Sequence, residues 1–228
     1  DGTHRYSRIR LWGSVGFILT VAGLGALLDT AGTRLVPIVV LALMAGISAA
    51  SLWVPAAAAP EAAAPEPLAA TLRRGPVAGL LLVCFLMQAS HGPYYTFFTI
   101  YLTEHHYSSR VIGALWALGV VAEIGVFVVM HRLVPAFGLR ALLLASLALT
   151  VLRWLLIGLF VDDVPLLILA QVLHAATFGI YHATAIQLVH GFFSVRQHGR
   201  GQALYSSMSF GAGGAVGSLY SGYMWVGE

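Results

Sequence analysis

Residues 141–160 read Ala141-Leu-Leu-Leu-Ala-Ser-Leu-Ala-Leu-Thr-Val-Leu-Arg153-Trp-Leu-Leu-Ile-Gly-Leu-Phe160. Twenty consecutive residues hold a single formal charge, Arg153. The hydrocarbon core of a bilayer needs about 20 apolar residues in helical form to cross it. A barrel strand would be about half that length and would alternate polar with apolar positions. This run does neither, and it predicts a membrane-spanning helix.

The same reading extends outward to seven hydrophobic segments, 10–28, 35–54, 76–103, 109–130, 139–160, 164–190 and 201–225. Asp29 to Arg34 separates the first two, Pro135 and Gly138 the fourth and fifth, and Asp162-Asp163-Val164-Pro165 the fifth and sixth. Gly191 and the stretch Gly199 to Gly201 mark the last break. The fold class expected is an all-α membrane protein. Composition agrees: 59% of the 228 residues are hydrophobic and only 9% charged, against about 25% charged in soluble domains. The mean hydropathy is +0.85. Residues 55–75 differ, with Pro55, Pro60, Pro65 and Pro67 among alanines. Repeated proline forbids a continuous helix, so this is read as a linker dividing 1–54 from 76–228. The chain begins without Met and ends just after an apolar segment, so both ends are expected to be cut from a longer chain.

Every basic residue is arginine. If the spans alternate, one side carries Arg5, Arg8, Arg10, Arg73, Arg74, Arg132, Arg140, Arg196 and Arg200, and the other only Arg34 and Arg110. That asymmetry is the positive-inside signature, and it puts the linker in the cytoplasm. It also explains the net charge of +3 without any nucleic-acid partner. The single Cys84 leaves no disulfide framework or cysteine metal site. No His-Glu-x-x-His motif is present, and neither a metal nor a cofactor is expected.

Ionisable groups inside spans mark bundle interiors or water-filled cavities. Glu123 lies midway along the fourth segment and Arg153 in the fifth, and neighbouring spans allow them to pair. That pair reads either as a structural lock on helix register or as a proton or substrate site. In the sixth segment Gln171, His174, Phe178 and Tyr181 fall at i, i+3, i+7 and i+10 on one helical face, with His182 about 80° around from His174. In the third segment Gln88, His91 and Tyr95 share a face, and Gly92-Pro93 should kink the helix and free a carbonyl. Trp116 and Glu123 share another face. Interhelical hydrogen bonding and ordinary aromatic packing remain alternatives to a cavity wall. Ser209, Gly213, Gly217 and Ser221 recur every four residues and read as a close-packing face, as do Gly13 and Gly16.

The stretch Tyr6-Ser7-Arg8-Ile9-Arg10-Leu11-Trp12-Gly13-Ser14-Val15-Gly16-Phe17 resembles the start of the fifth span in the phenylpropionate-permease-like branch of the major facilitator superfamily. Tyr94-Tyr95, Ile100-Tyr101, Leu115-Trp116-Ala117-Leu118-Gly119-Val120-Val121-Ala122-Glu123, Arg153-Trp154, Gln171-Val172-Leu173-His174-Ala175-Ala176-Thr177-Phe178 and Gln202-Ala203-Leu204-Tyr205-Ser206 continue it in order. The resemblance implies twelve spans in two halves, of which this chain holds spans five to eleven and lacks the N-terminal four and the last. It also implies a proton-coupled symporter working by alternating access. In the related lactose permease group a Glu, an Arg and a His occupy spans eight, nine and ten, as Glu123, Arg153 and His174 do here. That group has a further acidic residue just after the span-ten His; here Ala175, Ala176, Thr177 and Phe178 follow.

The resemblance therefore implies a carrier for a small organic solute, an aromatic acid, a nucleoside or a sugar, in a bacterial inner membrane. Its partners would be the solute, protons and the lipid bilayer. Glu123, Arg153 and His174 are the candidate proton-coupling groups. Gln88, His91, Tyr94, Tyr95, Trp116, Gln171, Tyr181, His182 and Tyr205 are the candidate solute contacts. A seven-span receptor is the competing class, but a retinal pump needs a lysine that this chain lacks. No nucleophile–base spacing suggests an enzyme.

Overall fold

The computed structural model describes residues 2–53 and 71–225, with side chains from Gly13 onward except at 14, 29 and 30. Most of the expected linker, 55–70, lies outside the described residues. Among the described residues eight α-helices follow in chain order: α1 (Gly2–Ala31), α2 (Leu35–Ser51), α3 (Gly75–Glu104), α4 (Ser109–Leu159), α5 (Val164–Val172), α6 (Tyr181–Phe192), α7 (His198–Ser206) and α8 (Gly214–Met224). A π-helical turn, Ala175–Ile180, carries α5 into α6, and a second, Ser207–Gly213, carries α7 into α8. No strand occurs among the described residues.

Three helical stretches, Gly75–Glu104, Ser109–Leu159 and Val164–Phe192, are long and apolar enough to cross a membrane, and Leu35–Ser51 is a shorter apolar helix. The 51 residues of α4 would measure about 76 Å if straight, more than twice the hydrocarbon thickness. The helix breaks at Gly138, whose φ of 74° and ψ of 157° lie outside any helix. A positive φ there suits glycine, which has no Cβ to clash. Trp116 and Trp154 sit 38 positions apart on α4, about 57 Å along a straight helix. Their rings nonetheless lie 4.7 Å and 5.7 Å from the ring of Tyr94. The two arms therefore fold back on each other, and the fourth and fifth expected segments are two spans.

Outside the spans, side chains close the turns. Ser108 accepts from Val111 N at 3.4 Å and Asp163 Oδ1 from Leu166 N at 3.0 Å, capping α4 and α5. These caps satisfy amides that a helix start leaves without partners. His105 Nδ1 meets Asp162 Oδ1 at 2.8 Å, and the Tyr107 hydroxyl donates to Val161 O at 2.8 Å. Burial, with Asp162 and Asp163 close by, pushes the Tyr107 phenol up from its usual value.

Two apolar clusters fill the bundle. Tyr94, Phe98, Leu102, Ile112, Leu115, Leu156, Ile157 and Leu167 pack toward the side opposite the arginine-rich loops. Val77, Leu80, Cys84, Met87, Tyr181, Ala185, Val189 and Tyr205 pack toward the arginine-rich side. Between them lies a polar layer of Gln88, His91, Arg153, Gln171, His174 and Thr177, each no more than 5% exposed. Large apolar side chains such as Leu41, Val128, Leu159 and Leu219 point outward, which lipid tolerates and water would not.

In lipid, apolar contact alone gives little drive for helix association, and small residues that let backbones touch matter more. The expected small-residue face does this against α3. A Cβ at Gly213 or Gly217 would collide with the backbone carbonyls of Phe85 or Ala89, and one at Gly92 with the backbone of Gly217. Ala89 is four residues before Pro93, so its carbonyl is the one that the missing proline N–H leaves without a helical donor. Helix α3 nonetheless runs unbroken through Pro93. Among the described residues a Cβ on Gly13 or Gly16 would meet nothing within 4 Å. The close approach of α1 comes instead at Gly25, where a Cβ would lie 2.7 Å from Ser109 O, opposite Gly113 on α4.

Candidate functional site

The polar layer centres on Arg153, in the second arm of α4, which has no exposed surface. Its Nε donates to Ala170 O at 2.9 Å. Ala170 is in the last turn of α5, where carbonyls lose their regular helical partners. The guanidinium stands 4.2 Å from the Tyr94 ring centroid and 4.6 Å from that of Trp154, a cation–π arrangement. Neither terminal nitrogen, Nη1 or Nη2, has a hydrogen-bond partner. The expected Glu123–Arg153 hydrogen-bonded pair is therefore not formed. Glu123 instead lies half-buried on the first arm of α4, its Cγ 3.2 Å from where a Cβ on Gly179 would stand. Its neighbour in register, Gly119, faces His174. Arg153 and His174 thus share the layer, and Glu123 flanks it.

Tyr94 is the hub. Its hydroxyl donates to Gln171 Oε1 at 2.9 Å, and its ring touches Tyr95, Phe98, Trp116, Trp154 and His174 at 4.7 to 5.8 Å between centroids. His91 Nδ1 meets Met87 O at 2.8 Å, so that nitrogen carries the proton and Nε2 the lone pair. The His91 ring packs on Trp154 at 4.8 Å and lies 6.4 Å from His174. Unpartnered among the buried polar atoms are Arg153 Nη1 and Nη2, Trp154 Nε1, Gln171 Nε2, His174 Nδ1, His91 Nε2, Gln88 Oε1 and Thr184 Oγ1. Trp116 donates from Nε1 to Thr99 Oγ1 at 3.1 Å and lies near-parallel to Tyr95.

The π-turn changes which residues of the sixth span share a face. Bonds from i to i+5 insert an additional residue per turn, so later positions rotate backward. His174, Phe178 and His182 then form one column, with ring planes 9° and 2° apart. His182 is not offset as a regular helix would place it. Tyr181 turns into the arginine-side core, where its hydroxyl meets Cys84 O and Ser209 Oγ, both at 3.4 Å. The column ends at Tyr205, whose hydroxyl is 2.9 Å from His182 Nδ1, and at Phe210, 6.1 Å from the His182 ring. Trp154 and Phe210 are not among the solute contacts expected from the sequence. Trp154 had a signal, since it adjoins the only arginine within a span. A cavity of about 550 Å³ opens between α3, the second arm of α4 and α8, and it meets the polar layer at Tyr94 and Trp154.

This arrangement, an apolar multi-span bundle with a sealed polar layer and an aromatic-caged cation, defines a polytopic membrane protein. The chain belongs to the MFS_1-like family, whose model matches residues 1–228. It is 32% identical over 232 residues to the "Probable 3-phenylpropionic acid transporter" of Escherichia coli (strain K12), covering 96% of this chain and 59% of that protein. It is 26% identical over 223 residues to the "Maltose permease" of Geobacillus stearothermophilus, covering 96% of this chain and 56% of that protein. The chain thus spans little more than half the length of these curated relatives. No solved structure matches it.

Proposed function

We propose that the chain supplies seven spans of a secondary active transporter in a bacterial inner membrane. The carrier moves a small aromatic acid, of the phenylpropionate class, together with a proton by alternating access. The observation that carries this reading is a fully buried guanidinium, caged by Tyr94 and Trp154, whose terminal nitrogens no carboxylate meets. Arg–carboxylate pairing is the strong, bidentate form of such recognition, and the rings of Tyr94, Tyr95, Trp116 and Trp154 suit an aromatic body. The name of the first relative points the same way. The cage seals Arg153 here, so the carboxylate engages it only after Tyr94 or Trp154 swings aside. Glu123, half-buried beside Gly179, takes the proton, with His174 as the bridging group. The maltose permease likeness favours a sugar as the second reading, since aromatic faces also stack on sugar rings.

The test uses the full-length carrier in vesicles. Labelled phenylpropionate should accumulate with an inward proton gradient, the corresponding alcohol should not, and maltose should not compete. Glu123→Gln should abolish gradient-driven accumulation while retaining solute exchange. Accumulation that survives Glu123→Gln rules out the role of Glu123. Uptake of neither the acid nor the sugar rules out the carrier reading for both.

A further inference from the structure

Both π-turns interrupt spans that read in sequence as single helices. Bonds from i to i+5 are rare in proteins, and helices bend where they occur. The two turns stand side by side, because Phe178 of the first and Phe210 of the second lie 6.2 Å apart between ring centroids. Between them in the chain is a hairpin, 181–206, made of α6, α7 and their connection. This hairpin is bonded across itself. His182 Nδ1 meets the Tyr205 hydroxyl at 2.9 Å, His198 Nε2 donates to His190 O at 3.1 Å, and the Gln202 amide donates to His190 Nε2 at 2.6 Å. The His190 and His198 rings stack at 4.3 Å. A Cβ at Gly201 would lie 2.9 Å from both the Phe193 ring and Val189, so α7 sits tightly on α6.

The chain beyond each turn is held in another way. Ahead of the first, Gln171 accepts from Tyr94 on α3 and Ala170 O accepts from Arg153 on α4. Past the second, the backbone of Gly217 lies on that of Ala89, and Thr96 Oγ1 donates to Ser218 Oγ at 2.9 Å. These directional and backbone contacts fix position. To α3 the hairpin presents Ala185 and Val189, packed in one cluster with Val77 and Leu80, and the Tyr181 hydroxyl, 3.4 Å from Cys84 O. Apolar contact has no preferred direction and lets surfaces slide. A hydroxyl contact of 3.4 Å is well past the distance such bonds prefer.

We propose that the hairpin 181–206 is a lid over the arginine-rich side of the polar layer, swinging as one body about the paired π-turns while α5 and α8 stay with α3 and α4. A few residues suffice to absorb the backbone change of such a hinge. At the second turn Gly211 and Gly214 have room for it, since a Cβ on either meets nothing within 4 Å. The motion carries His182 and Tyr205 together and parts the His182 ring from Phe178, which opens the ring column toward the arginine-rich side. The lid stands whatever the solute; its response to phenylpropionate rests on the aromatic-acid reading above.

Full-length carrier in lipid nanodiscs would carry spin labels at exposed positions, in a background cleared of other cysteines. Ala78→Cys with Val195→Cys reports lid against α3, Gln187→Cys with Gly199→Cys reports the lid's interior, and Ile100→Cys with Tyr223→Cys reports α3 against α8. Without solute the first pair should show two distance populations and the other two pairs one each. Phenylpropionate should redistribute the first pair alone. Gly211→Ala and Gly214→Ala fill open space, so both should fold, and each should shift the population ratio of the first pair about two- to fivefold, the cost of a glycine's backbone freedom inside a helix. A single narrow population for the first pair, with and without phenylpropionate, overturns the lid. So does a ratio that neither alanine moves, and a lid interior that changes together with the first pair overturns the single body. Two populations that ignore phenylpropionate keep the lid and count against the aromatic-acid reading.

Discussion

Widening the contact between α1 and α4 tests how the helices before the linker meet those after it. A Cβ at Gly113 would lie 2.8 Å from Val21 O and 3.3 Å from Gly25 Cα. Ordinary contact begins roughly 0.6 Å further out than the shorter of these, and both obstacles are backbone, which no rotamer change can move. Gly113→Val adds two γ-carbons beyond that Cβ. Overpacking of this kind costs about 1–3 kcal/mol, which is about 5- to 150-fold in a two-state equilibrium. Gly25 and Gly113 lie on the side opposite the arginine-rich loops, so relief should come by parting α1 from α4 there. Spin labels at Thr33→Cys and Val111→Cys in the full-length carrier report that distance by pulsed resonance. The distribution should move to longer distances in Gly113→Val, and less far in Gly113→Ala. An unchanged distribution, with an unchanged unfolding temperature, would refute the view that the glycine pair sets the approach of these helices.

Other consequences concern single hydroxyls. Tyr94→Phe leaves both ends of the Gln171 amide buried without partners, which should destabilise the carrier by about 1–3 kcal/mol, read as a lower midpoint in denaturation. Tyr181→Phe removes two long contacts inside the arginine-side core, so stability should fall by less than about 1 kcal/mol. Solute affinity, measured by equilibrium binding, should stay within about twofold in that variant because the side chain faces away from the polar layer. A large affinity loss would return Tyr181 to the site.

Much of this protein was legible in the chain itself. The lengths of the apolar runs and the turn residues marked the helical segments, because bilayer thickness and the cost of buried charge act on sequence directly, and the arginine asymmetry carries the orientation expected of them. Glycine and serine at four-residue spacing likewise announced the seam against α3, since only side-chain size is needed to read it. Tertiary structure decided what those signals could not carry. Gly13 and Gly16 have the same composition signal as Gly25, yet among the described residues it is Gly25 whose added Cβ would strike a neighbouring helix. The π-turn at Ala175–Ile180 has no marker in its residue types, and it aligned His174, Phe178 and His182 while turning Tyr181 inward. Which groups surround Arg153 depended on the hairpin at Gly138, which brings Trp116 and Trp154 against one tyrosine. Burial of a charge is a property of one position along the chain, whereas the partner that answers it is a property of three helices meeting at one depth.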